Sequence, residues 1–108
     1  MGILAGTMRL MNLTSTKNNI EFRLMNISEK MSALTTQIAE NEAFMGDLDP
    51  DSPEVKAMNA EKRRLNEYEK KLELQKRKLE IRLQQVTQGI ESCQQTISRD
   101  IQSFNGAR

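Results

Sequence analysis

Alternating carboxylates in the middle of the chain are the first candidates for chemistry. Asp47, Asp49 and Asp51 alternate, as the first ligands of a calcium-binding EF-hand loop do. Such a loop, started at Asp47, needs Gly at its sixth position and Glu at its twelfth, but this chain has Ser52 and Met58 there. With no His and one Cys, ordinary zinc or other transition-metal ligation is also disfavoured. We therefore expect no metal and no other cofactor.

Side chains that could act as nucleophiles have no base to activate them. Without His, neither the hydroxyl groups nor Cys93 can form the usual nucleophile–base pair. A glycine-rich phosphate loop is absent as well. Cys93 lies in an apolar stripe, and we predict that it is a small core residue. The sequence predicts that the protein is not an enzyme and has no catalytic residues.

Basic residues recur every seven positions in the second half of the chain. They form two neighbouring rows, which are Arg63, Lys70 and Arg77, and Arg64, Lys71 and Lys78. Such rows could meet phosphates. However, glutamates alternate with them, the net charge is only +1, and no aromatic residue is placed to stack a base. We predict a solvated helix face and regard nucleic acid as an improbable partner.

Apolar residues with seven-residue spacing identify the elements that carry these groups. Two sets precede a Pro-containing turn and one follows it. The first two are Leu13, Ile20, Ile27 and Leu34, and Leu24, Met31, Ile38 and Met45; the third is Met58, Leu65, Leu72, Leu79, Val86 and Cys93. This period is typical of helices that pack along a coiled-coil seam. The predicted fold class is all-α, with two long antiparallel helices forming a coiled-coil hairpin.

Turn signals set the boundaries of the two helices. Gly46 can adopt the left-handed conformation that ends a helix, and Pro50 disfavours helix at Asp49. Ser52 is a good N-cap, and Pro53 suits the first helical position. We predict one domain over residues 1–108, with a helix from about 6 to 45 (or from near Ile3), a turn over about 46–52 and a helix over about 53–104.

The composition favours an oligomer. Charged residues make up 29% of the chain and aromatic residues only 4%, which fits a thin two-helix seam better than a wide core. Such a seam is marginal for an isolated small chain. We therefore expect a homo-oligomer, in which the hairpin packs against further copies.

Apolar residues outside the seam indicate where this contact forms. Some recur at helical spacing on a second face, and others cluster toward the two termini, where charges are sparse. A single two-helix seam cannot bury both faces. The predicted oligomer interface consists of Leu4, Met8, Met11, Phe22, Met25, Leu74, Ile81, Ile90, Ile97, Ile101 and Phe104. The apolar terminal end is also the expected docking surface for any protein partner.

Localisation signals are missing from the sequence. The apolar N-terminal stretch is too short for a secretory signal peptide, and no stretch of about 18 apolar residues could form a transmembrane segment. If the protein is exported to the cell surface or beyond, we expect a route without signal cleavage. Otherwise it is expected in the cytoplasm.

Three short segments give the chain a resemblance to a known family. They are Asp49-Pro50-Asp51-Ser52-Pro53 in the turn, Leu65-Asn66-Glu67-Tyr68 after it, and Asp100-Ile101-Gln102-Ser103-Phe104 near the end. In these the chain resembles the needle-forming subunits of bacterial type III secretion systems, although it is longer than a typical subunit. The resemblance implies a secreted hairpin that stacks into a hollow helical filament.

Two function classes follow from these observations. The first is a bacterial structural protein whose helical hairpins self-assemble, as a filament or secretion-needle-like tube. The alternative is a cytoplasmic coiled-coil adaptor or chaperone-like protein that forms a closed dimer or four-helix bundle. Open-ended growth would distinguish the first class from the second.

Overall fold

Two long helices make up nearly all of the structure, a computed structural model that describes residues 2–106. Helix α1 spans Ile3–Met45 and has 43 residues, and helix α2 spans Pro53–Gly106 and has 54 residues. No strand occurs among the described residues. The predicted all-α helical hairpin is therefore confirmed. Helix α1 begins at the earlier of the two predicted starts, and α2 continues two residues beyond Phe104. Positions 1, 107 and 108 of the predicted hairpin lie outside the described residues.

Ser52 starts α2 as predicted. The N–H of Val55 donates a hydrogen bond to Ser52 Oγ at 3.3 Å, and the N–H of Lys56 donates to the Ser52 carbonyl at 3.2 Å. Pro53 is the first residue of the helix, where its missing N–H costs nothing. Glu54 lies in the first turn, near the positive end of the helix dipole.

Gly46 ends α1 differently from the prediction. No glycine among the described residues has a positive φ, so the left-handed conformation expected at Gly46 is wrong. Instead, the N–H groups of Asp47 and Leu48 donate to the carbonyls of Phe44 and Met45, at 3.3 and 3.1 Å. These i→i−3 bonds tighten the last turn of α1. They satisfy carbonyl groups at the helix end that would otherwise be bonded in the motif formed by a left-handed glycine.

The chain forms two compact units, each built from both helices. The terminal unit comprises the described residues of Met1–Arg23 and Lys78–Arg108, and the turn unit comprises Leu24–Arg77. The buried apolar residues of the terminal unit are Ile20, Val86 and Cys93. Those of the turn unit are Ile27, Leu34, Val55, Leu65 and Leu72.

The seven-residue patterns predicted the seam correctly. Every residue of the three apolar sets is buried or half-buried. Val55 is also buried, although the prediction did not include it. Val55 lies seven residues before Lys62. Because Lys62 is polar, the seven-residue apolar pattern does not extend to Val55. Cys93 is a free, buried thiol, as predicted.

Within the terminal unit the helices run antiparallel and approach closely at two glycines. A Cβ on Gly6 would lie 3.0 Å from Cγ1 of Ile97, and a Cβ on Gly89 would lie 3.6 Å from Cδ1 of Leu13. The Cys93 thiol donates a hydrogen bond to the Gly6 carbonyl over 3.2 Å. In this register Leu13 lies beside Gly89, and Gly6 lies beside Ile97.

Candidate assembly surface

The terminal unit exposes large apolar side chains on both helices, and those on α1 share one face. On α1, Leu4 is 75% exposed and Met11 is 66% exposed. The exposed residues on α1 are Ile3, Leu4, Met8, Met11 and Phe22, and those on α2 are Ile81, Ile101 and Phe104. All except Ile3 belong to the interface predicted from the sequence.

Two predicted interface residues are partly covered inside the terminal unit. Ile90 and Ile97 are half-buried, and Ile97 lies against the backbone of Gly6. Both belong to the intramolecular seam, so a second copy could reach only part of each side chain.

Phe104, a residue of the predicted interface near the end of α2, is 58% exposed. With Gly6 against Ile97, α1 has three helical residues before that contact and α2 has nine after it. The described part of α2 therefore continues further past this contact than the described part of α1 does.

The turn unit also carries exposed apolar side chains. Met25 and Leu74 were predicted from helical spacing, and both are more than half exposed. Phe44 and Tyr68 are exposed as well and were missed. Tyr68 is 43% exposed and has no apolar residue seven positions away. Phe44 has no apolar partner seven residues away, so the repeat could not identify it.

Ion pairs occupy only a few of the charged side chains. Among the described residues the pairs are Lys17 with Glu21, Lys62 with Glu42, and Arg64 with Glu61. The Lys62–Glu42 pair joins α1 to α2 inside the turn unit. The hydrogen bond from Arg64 lowers the pKa of the Glu61 carboxyl, and Glu61 in turn raises the pKa of Arg64. Such exposed pairs contribute little to stability.

A small cleft in the terminal unit brings two arginines together between α1 and α2. Its volume is about 80 Å³, and its lining residues are Thr16, Asn19, Ile20, Arg23, Leu79 and Arg82. Three other surface depressions are each lined by a single helix. We call this site the arginine cleft; the sequence analysis did not find it, because Arg23 and Arg82 are far apart in sequence.

The turn and the residues that flank it contain acidic residues but no basic residue. Residues 40–54 contain six acidic residues and no basic one; the acids are Glu40, Glu42, Asp47, Asp49, Asp51 and Glu54, and all six are exposed. One oxygen of Asp49 accepts the N–H of Asp51 at 3.1 Å. We call residues 47–51 of this segment the acidic turn.

No helix within residues 2–106 is long and apolar enough to cross a lipid bilayer. Over the same residues, no three potential metal-ligating side chains of the types His, Cys, Asp and Glu cluster together. Protein-family models, curated proteins and solved structures were compared with this chain, and none of them matches it.

Proposed function

We propose that the protein is a non-enzymatic structural protein whose helical hairpins self-assemble into an open-ended filament. One observation carries this proposal. Among the described residues, twelve large apolar side chains are exposed, whereas the buried core contains eight apolar residues. Soluble monomers rarely expose large contiguous apolar patches, so further copies packed on the exposed helix faces would account for these side chains.

The free energy available from burying this surface is comparable with the cost of association. Fully burying one Leu, Ile, Met or Phe side chain stabilises a complex by about 1.5–3 kcal/mol. Association costs an estimated ~4–15 kcal/mol of translational and rotational freedom. Covering half of the twelve exposed side chains would therefore bring the two terms to a comparable size, and repeated contacts along a filament would add to the gain.

Apolar residues on both units favour an open-ended assembly. The terminal unit and the turn unit expose different sets of side chains, so two copies can meet through unlike surfaces. Contacts between unlike surfaces extend indefinitely when the rotation between copies does not close a ring. The resemblance of the turn and C-terminal segments to secretion-needle subunits supports the same geometry and implies a bacterial, extracellular filament exported without signal cleavage.

Two substitutions on α2 test the apolar contact. We expect Leu74→Glu combined with Ile81→Glu to abolish filaments in electron micrographs of the purified protein, because charged carboxylates would have to be desolvated in the contact. Helicity should persist, since both side chains are exposed and the new Glu at position 74 has Lys70 and Lys78 one turn away on either side.

Gln75→Glu with Gln84→Glu is the matched control, because it adds the same charge at two exposed positions of the same helix. It should leave the filaments intact. Filaments that survive the Leu74 and Ile81 substitutions would contradict the assigned face. Purified wild-type protein that forms only a closed dimer or four-helix bundle would favour the adaptor function instead.

A further inference from the structure

We propose that the arginine cleft binds the acidic turn of a second copy of this chain. This inference rests on the proposed self-assembly and assigns one of its contacts to named residues. The ligand class is a carboxylate presented by a turn, and the occupant is residues 47–51 of the next hairpin.

The two guanidinium groups have no acidic partner among the residues that the structure describes. Neither Arg23 nor Arg82 forms an ion pair with a described residue, and neither has an acid three or four positions away on its helix. Guanidinium groups bind carboxylates through paired, charge-assisted hydrogen bonds. Arg23 and Arg82, which line the cleft, are therefore both available to bind a carboxylate.

The remaining polar groups of the cleft fit an acceptor ligand. The Asn19 side chain supplies an amide donor. The Thr16 hydroxyl already donates to the Asn12 carbonyl at 3.0 Å, so it adds no donor. The volume of about 80 Å³ is far below the ~300 Å³ lower limit of ordinary small-molecule pockets. A single carboxylate group is a better match in size than a whole metabolite.

The acidic turn offers carboxylates that are free to bind. Asp47 and Asp51 are exposed and form no ion pair with any described residue. One carboxylate oxygen of Asp49 accepts a hydrogen bond from the N–H of Asp51 within the turn. This internal hydrogen bond orders the backbone between the two free aspartates, so less conformational entropy is lost on binding.

Charge complementarity identifies the occupant as a second copy. Among the described residues, the terminal unit carries six basic and four acidic residues, a net charge of +2, whereas the turn unit carries nine basic and eleven acidic residues, a net charge of −2. A nearly neutral chain thus presents two surfaces of opposite sign. Complementary potentials of this kind select partners and set the register of a contact.

Charge reversal on each side tests the contact. Arg23→Glu with Arg82→Glu should raise the protein concentration needed for half-maximal assembly by at least about tenfold, since like charges would then face each other. Asp47→Lys with Asp51→Lys should do the same. Lys56→Glu with Arg63→Glu is the control; it makes the same charge change at two exposed positions of the turn unit and should have little effect.

Mixing the two reversed variants gives the decisive readout. Each variant would then offer the surface that the other lacks, so an equimolar mixture should assemble near the wild-type concentration although each variant alone needs a much higher one. Sedimentation at low ionic strength measures the assembled fraction. Wild-type protein that assembles while neither reversal changes its threshold, or a mixture that fails to assemble, overturns this contact and leaves the proposed function standing. Wild-type protein that does not assemble at all overturns both.

Discussion

Gly89 lies at a position where α1 and α2 approach each other closely. It occupies the interior of α2, where glycine is less favourable than alanine by about 1 kcal/mol. A Cβ at this position would meet the Leu13 methyl groups at 3.6 and 3.7 Å, which is ordinary van der Waals contact. The close approach in the terminal unit therefore does not require glycine at position 89.

We predict that Gly89→Ala raises the free energy of unfolding by about 0.5–1 kcal/mol. Urea denaturation followed by circular dichroism, at one fixed protein concentration, measures this change. Gly6→Ala is the comparison, because its Cβ would lie only 3.0 Å from Ile97 and the contact should offset much of the gain in helix propensity. Destabilisation by Gly89→Ala would mean that the helices approach more closely than described.

Residue-level features were the hardest to predict from the sequence. The apolar repeat identified Cys93 as a core residue, but its thiol–carbonyl bond to Gly6 depends on the register between the helices. Arg23 and Arg82 share a cleft for the same reason. Periodicity shows which face of a helix is apolar, whereas the partner of one side chain across the seam depends on where the chain reverses.

Helix boundaries, at the scale of elements, followed more directly from the sequence. Ser52 and Pro53 supply local signals that act within one turn, so α2 begins where they predict. The left-handed glycine was wrong because the end of α1 has a second solution, a tightened turn of i→i−3 bonds. Gly46 indicates where α1 can end, but it does not determine whether the helix ends through a left-handed glycine or through a tightened last turn.

We predict that Ser52→Ala lowers the free energy of unfolding by about 1 kcal/mol, because it removes the acceptor of the Val55 N–H. Thermal or urea denaturation would detect this loss. Ser28→Ala, at an exposed position within α1, is the control and should cause no loss, since alanine favours a helix interior. Equal effects of the two substitutions would show that the cap does not stabilise α2.

Across the whole molecule, the described structure leaves more large apolar residues exposed than buried. The sequence predicted most of these positions from their helical spacing. It missed Phe44 and Tyr68, which have no apolar residue seven positions away. A seven-residue repeat cannot identify an exposed apolar side chain that stands alone.

The separation of charge is the second property of the whole chain. The acidic turn and the arginine cleft belong to different units, and neither charge is neutralised locally by the described ion pairs. We therefore infer that apolar surface drives association while charge sets the register between copies. This division explains how a chain with a net charge of +1 could form an ordered assembly.

Sedimentation velocity of the purified wild-type protein over a wide concentration range tests the central claim of self-assembly most directly. We predict a distribution that shifts continuously to larger sedimentation coefficients as concentration rises, because each added copy exposes the surface that receives the next one. A single species of fixed, small stoichiometry at every concentration would contradict the open-ended assembly proposed for this protein.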